Sequence, residues 1–170
     1  GHVTIGNNVF SDVQTNVEIK NARGVTVTGN TFWEGFERDL LVEKSSRIVV
    51  SGNNFDRNPR YAVNGFDGAE HNGILIQSCS DVSLTGNIVS GVLREPAAVQ
   101  ILYSNRVLCN SNSIVDGDGN GLLLWNVTNS MVTGNIIRDD RPPEERSAGH
   151  GIEIVGGSGN SVGSNLLRKP

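Results

Sequence analysis

The chain has 170 residues, a net charge of −4, 36% apolar residues and 19% charged residues. That is the size of one domain or a piece of one, and the acidic balance argues against nucleic acid, whose binding rests on clustered Lys and Arg. No apolar run reaches the roughly 18 residues of a membrane-spanning helix, so no membrane partner is expected, and no signal peptide is visible in this segment.

The chain opens on a cassette: an alternating β-branched pair, Val3 and Ile5, then Asn8 and the apolar Phe10. Alternation of this kind marks a half-buried strand. The second cassette gains an upstream pair and reads Val17, Ile19, Val25, Val27, Asn30, Phe32. The third reads Leu40, Val42, Ile48, Val50, Asn53, Phe55 and the fourth Ile74, Ile76, Val82, Leu84, Asn87, Val89. The fifth reads Val99, Ile101, Val107, Cys109, Asn112, Ile114. The sixth reads Leu122, Leu124, Ser130, Val132, Asn135, Ile137, and the seventh Ile152, Ile154, Asn160, Val162, Asn165, Leu167.

Counted from each Asn as zero, positions −13, −11, −5, −3 and +2 are expected to face inward. The spacing from −11 to zero is constant, and all length variation falls between one Asn and the next upstream pair. This predicts three short strands per coil, two fixed turns and one variable turn in an all-β solenoid. The recurring Asn is expected to adopt the left-handed conformation of a sharp bend and to stack its amide on those of neighbouring coils. The small residue before it is expected to leave room for the neighbouring chain. Cys79 falls at −8 and Cys109 at −3. These are different faces, so no disulfide is expected and Cys109 reads as a small core residue.

These cassettes resemble the right-handed parallel β-helix superfamily, the fold of pectate lyases, polygalacturonases, alginate epimerases and phage tailspikes. In style they are similar to the Gly-Asn-x-Ile repeats of carbohydrate-binding and sugar-hydrolase (CASH-type) helices and of periplasmic copper-maturation proteins. The resemblance covers essentially the whole chain and implies a right-handed parallel β-helix of about seven coils with an Asn ladder at one turn. A leucine-rich repeat is the alternative. Against it stand the small residues at −8, the strand-like −13/−11 segment and the variable coil length. Residues 1–170 are expected to form a single β-helix domain and, lacking an amphipathic capping helix at either end, a segment of a longer chain.

Chemistry is expected in the long variable turns, which all lead into the same strand and so wall one groove. The first, between Asn54 and Asn72, carries Arg60 to neutralise a sugar carboxylate, Tyr61 or His71 to transfer a proton, and Asp67 or Glu70 as acid or metal ligand. A polar loop with internally paired charges accounts for the same residues. The second, between Ile88 and Ala97, carries Arg94, a second candidate for the carboxylate. The third, between Ile136 and His150, joins the pair Asp139 and Asp140 to Gly149, His150 and Gly151. Both elements resemble polygalacturonase motifs, but the remaining motifs of that family have no match here. On the strand face, Trp125 could stack on a sugar ring while Gln77 and Gln100 bond its hydroxyls. Leu75, Leu102, Leu123 and Trp125 would make an apolar strip, open to sugar, covered by the loops or covered by a partner.

The resemblance implies a polysaccharide-binding or polysaccharide-processing protein outside the cytoplasm, extracellular or periplasmic, of lyase or epimerase style with an acidic glycan as substrate. A non-catalytic glycan-binding helix, surface scaffold or spike is the alternative, with a homo-oligomer or flanking domains as further partners. No resident cofactor or metal centre is expected. Calcium is the ion the oxygen-rich pairs Asp116/Asp118 and Asp139/Asp140 would admit.

Overall fold

The computed structural model describes residues 2–57 and 70–168. Among them the chain forms three wholly parallel sheets. The first holds β1 (Val3–Gly6), β4 (Arg23–Thr28), β7 (Ser46–Ser51), β10 (Ser80–Thr85), β13 (Asn105–Asn110), β16 (Met131–Thr133) and β19 (Ser161–Gly163). The second holds β2 (Val9–Phe10), β5 (Thr31–Trp33), β8 (Asn54–Asp56), β11 (Ile88–Ser90), β14 (Ser113–Val115), β17 (Ile136–Arg138) and β20 (Leu166–Arg168). The third holds β3 (Val13–Lys20), β6 (Gly35–Glu43), β9 (Ile74–Gln77), β12 (Ala97–Leu102), β15 (Asn120–Trp125) and β18 (Ile152–Val155). The chain visits the third, first and second sheets in turn, which is the winding of a parallel β-helix, and parallel crossovers take the right hand.

The predicted inward columns are the core. Val27, Val50, Leu84 and Cys109 are in register at −3 and fully buried. At +2, Phe10, Phe32 and Phe55 stack with ring centroids 5.2 and 4.4 Å apart before the column turns aliphatic. Both cysteines are buried and free, in separate columns as expected. Burial alone pushes the Cys109 thiol up to about 12.

The Asn ladder is present. Asn30, Asn53, Asn87 and Asn112 each donate an amide hydrogen to the Oδ1 of the next, at 3.0 Å in every case. Each donates its second to a backbone carbonyl of the preceding coil, as Asn87 does to Val50 at 3.0 Å. The left-handed residue, however, is the one before the ladder Asn: Asn7, Gly29, Gly52, Gly86, Ser111, Gly134 and Ser164 all have φ between 54 and 67°. The expectation that the ladder Asn itself bends the chain is therefore corrected. Room is not the reason for glycine either, because a Cβ at Gly52 or Gly86 would meet nothing within 4 Å; the positive φ is.

The first and second turns are tight and constant. The turn from the second sheet to the third takes up every insertion, so the segments after Asp56, Ser90 and Arg138 all emerge on one side of the third sheet. The first begins at Arg57, whose guanidinium bonds Glu70 Oε2 at 3.0 Å and the Glu70 carbonyl at 3.1 Å. This buried ion pair joins the two ends of the insertion.

Candidate functional site

The outward face of the third sheet has two columns. One runs Glu18, Leu41, Leu75, Gln100, Leu123, Glu153 and the other Lys20, Glu43, Gln77, Leu102, Trp125, Val155. The variable turns bound this face on the side where the strands begin, and there Arg38, His71 and Gln100 meet one group, Glu95.

Glu95 follows Arg94, whose φ of 61° bends the second long turn back over the sheet. A hydrogen bond from the Arg94 backbone N–H to Asp118 Oδ2, 3.2 Å, anchors that bend to the next coil. The Glu95 side chain is buried beneath it. Its Oε2 takes Arg38 at 3.0 Å and the Gln100 amide at 2.7 Å, and its Oε1 meets His71 Nδ1 at 2.9 Å. Three coils thus contribute to one carboxylate: Arg38 from β6, His71 from the segment before β9, and Gln100 from β12. The His71 side chain is 35% exposed.

Asp39, next to Arg38, is buried below this cluster. Its Oδ1 accepts from Asn16 at 3.0 Å and from the Gly35 N–H at 3.3 Å, and its Oδ2 from the Gly73 N–H at 3.2 Å. It therefore ties the start of β6 to the segment that carries His71. Burial raises its carboxyl from 3.8 to about 7, against the pull of the three donors.

The arrangement has acid–base capacity. A carboxylate at Glu95 accepts the Nδ1 proton of His71 and orients the ring, which leaves the opposite nitrogen to exchange a proton with a ligand. At the other edge of the face Trp125 is 41% exposed and Tyr103 56% exposed. They stand one coil apart, joined by the Tyr103 N–H to the Trp125 carbonyl at 2.8 Å.

Of the residues expected to act, His71 and Gln100 are brought together. Gln100 is buried with its amide nitrogen bonded to Glu95, rather than directed outward at a sugar. Gln77 and Trp125 share an outward column two coils apart, and Gln77 is half-buried. Arg94 is exposed beside Glu95. His150 is exposed three coils from His71, roughly 14 Å at about 4.8 Å per strand. Arg60, Tyr61 and Asp67 lie outside the described residues. The apolar strip is partly covered: Leu123 is buried and Leu75 and Leu102 are half-buried.

The acidic pairs of the later turns are engaged. Arg141 bonds Asp139 at 2.7 Å and Asp118 at 3.0 Å, which raises its own pKa. Asp116 accepts from the Asp140 N–H at 2.7 Å. Among the described residues no three His, Cys, Asp or Glu side chains converge to hold an ion.

Sequence reasoning missed Glu95, Arg38 and Tyr103. Arg38 shares its column with Asn72, Ala97, Asn120 and His150, so the ruler that located His150 also marked Arg38. Glu95 lies in the second long turn, where a lone carboxylate beside Arg94 belongs to no repeated column that would mark it.

A model of the NosD family, described as periplasmic copper-binding protein, matches residues 1–169. No curated protein matches the chain. Among solved structures, a Parabacteroides merdae protein assigned provisionally to the glycosyl hydrolases is similar, with a TM-score of 0.65 at 12% identity. The match covers 96% of this chain and 82% of that one. The A-module of a mannuronan C-5 epimerase from Azotobacter vinelandii is similar with a TM-score of 0.49 at 13% identity, over 97% of this chain and 59% of that one.

Proposed function

The chain belongs to the NosD family, and from that premise we propose that its β-helix holds an acidic polysaccharide across the outward face of the third sheet and moves a proton there. The observation that carries this reading is the Glu95 cluster: a buried carboxylate that fixes a partly exposed histidine at the edge of the strand face. In the chemistry we assign, His71, oriented by Glu95, takes the proton next to the carboxylate of a uronic acid residue. Arg94 or Arg60 neutralises that carboxylate, and Tyr61 or Asp67 supplies the acid. Trp125 and Tyr103 offer faces on which sugar rings stack. We read the setting as outside the cytoplasm, which the family's description as periplasmic supports.

That description also implies copper, and the donors present do not fit it. Copper selects thiolate, thioether and imidazole ligands. Here Cys79 and Cys109 are buried in different columns. Met131 lies on the outer face of the first sheet, and His71 and His150 stand three coils apart, so among the described residues these donors do not converge. No step is routed through a metal.

The test is turnover of a panel of uronans, followed by the absorbance of unsaturated products and by deuterium incorporation from heavy water. The wild-type protein is expected to process at least one uronan, and His71→Ala and Glu95→Gln to lower kcat by at least about 100-fold, the usual worth of a general base. A second reading, a glycan-binding helix without catalysis, is favoured by the exposed aromatic pair. It predicts binding that is lost in Trp125→Ala and untouched in Glu95→Gln, with no product formed. Full activity in both cluster variants would overturn the catalytic reading.

A further inference from the structure

A second feature lies on the same face, two coils further along. The outward column that holds Gln100 continues through Leu123 to Glu153, and there it meets an open hollow of about 690 Å³. Asn120, Pro143, Arg146, Ser147, His150 and Glu153 line it. The third long turn forms its wall, held in place by Ser147 Oγ, which accepts from the Gly119 N–H at 3.1 Å.

The charges in this hollow are unevenly satisfied. Arg146 is half-buried and lines the hollow, and its Nε donates to the Arg141 carbonyl at 2.6 Å, which fixes the side chain there. Among the described residues no carboxylate pairs with it, although Glu144 and Glu145 stand exposed on the preceding turn. Glu153 accepts from Asn120 Nδ2 at 2.5 Å through one oxygen only. The His150 N–H is bonded to Asn120 Oδ1 at 2.7 Å, so backbone rather than ring anchors that residue. A guanidinium without a counter-ion in a concave site is a receptor for a planar anion, because its fork matches a carboxylate at two points. The second oxygen of Glu153 and the imidazole of His150 are suited to hydroxyls, and Pro143 supplies an apolar wall for a ring.

We propose that this hollow is a binding subsite for one uronic acid residue, its carboxylate on Arg146 and its hydroxyls on Glu153 and His150. The inference rests on the reading that an acidic glycan lies along the third sheet. It adds that the chain is gripped one to two coils, about 5–10 Å, beyond the Glu95 cluster. A free uronate and the acid residue of a polymer present the same chemistry, and the experiment separates them.

Calorimetry of the whole chain with galacturonate, its methyl ester, a neutral hexose and a tetra-uronide tests this. The free uronate is expected to bind, the ester and the hexose at least 10-fold more weakly, and the tetra-uronide more tightly than the monosaccharide. Arg146→Ala is expected to weaken uronate binding at least 10-fold and Arg146→Lys by less, with melting temperatures unchanged. Glu95→Gln and His71→Ala are expected to leave monosaccharide binding intact. Tight binding by the free uronate alone would restrict the site to a small acid and overturn the polymer subsite. Equal affinity in Arg146→Ala, equal affinity for the ester, or no uronate binding by the wild-type chain would overturn the proposal. Should uronan be turned over with an unchanged KM in Arg146→Ala, the subsite fails and the catalytic reading stands. Should uronate bind through Arg146 while no uronan is processed, the catalytic reading fails alone.

Discussion

Asp39 shows how one residue can carry a cost for the sake of position. Its carboxyl is neutral in the fold up to about pH 7, and on unfolding it returns to 3.8. Stability from this group is therefore complete below about pH 4 and is lost as the pH rises through about 7. Denaturant unfolding at pH 4.5 and 7.5 should show the wild-type chain weakening toward the higher pH through this group. Asp39→Asn should be flatter across the same range. At pH 4.5 it should also be less stable, by about 1–3 kcal/mol, because its NH₂ would face a backbone N–H of Gly73 or Gly35. A slope that persists in the variant would assign the pH dependence elsewhere. The same scale explains what could be read in advance. The ladder asparagines were legible because the same amide is needed in every coil, and repetition exposes it. The left-handed position was misplaced by one residue because Asn and Gly both tolerate positive φ, so type alone did not separate the bend from the ladder.

Among the elements, the second long turn matters most, because it brings Glu95 over the sheet. Its neighbour in the next coil, Gly119, has φ 61° and lies so close that a Cβ would fall 2.5 Å from the carbonyl oxygens of Glu95 and Pro96. Gly119→Ala must therefore displace the turn or distort its own backbone. We expect it to cost at least about 1 kcal/mol of stability. We also expect it to break the contact between Glu95 and His71, seen as a change in the His71 imidazole chemical shifts. Unchanged resonances would mean that the turn absorbs the methyl without moving Glu95. This is also where sequence reading ran out. The inward positions of the strands were legible, because their spacing from the Asn is fixed. The site was legible only as a side of the helix, since Arg38, His71 and Glu95 come from three coils and are 57 residues apart at the extremes. Their meeting depends on the path of the variable turns, which the repeat leaves free.

At the scale of the whole molecule, each coil packs chiefly on the coils above and below it, with the Arg38–Glu95 pair reaching across one, so stability is close to a sum of neighbour terms rather than one closed core. Phe32 is fully buried between Phe10 and Phe55, and it fastens the first coil to the third. Phe32→Ala should cost about 3–5 kcal/mol locally. In a solenoid that loss need not reach the coils that carry Glu95 and His150. Hydrogen exchange should therefore show backbone amides around Val3–Gly6 and Arg23–Thr28 losing protection while those of Ala97–Leu102 and Asn120–Trp125 keep theirs. Uniform loss along the chain would mean that the ladder and the stacked sheets couple all coils into one cooperative unit. In that case a change at the first coil would also reach the proposed groove, and its residues would have to be tested in a chain stabilised elsewhere. Graded loss is what the geometry favours, because the groove is built from neighbouring coils of one stack and needs only those coils to be folded.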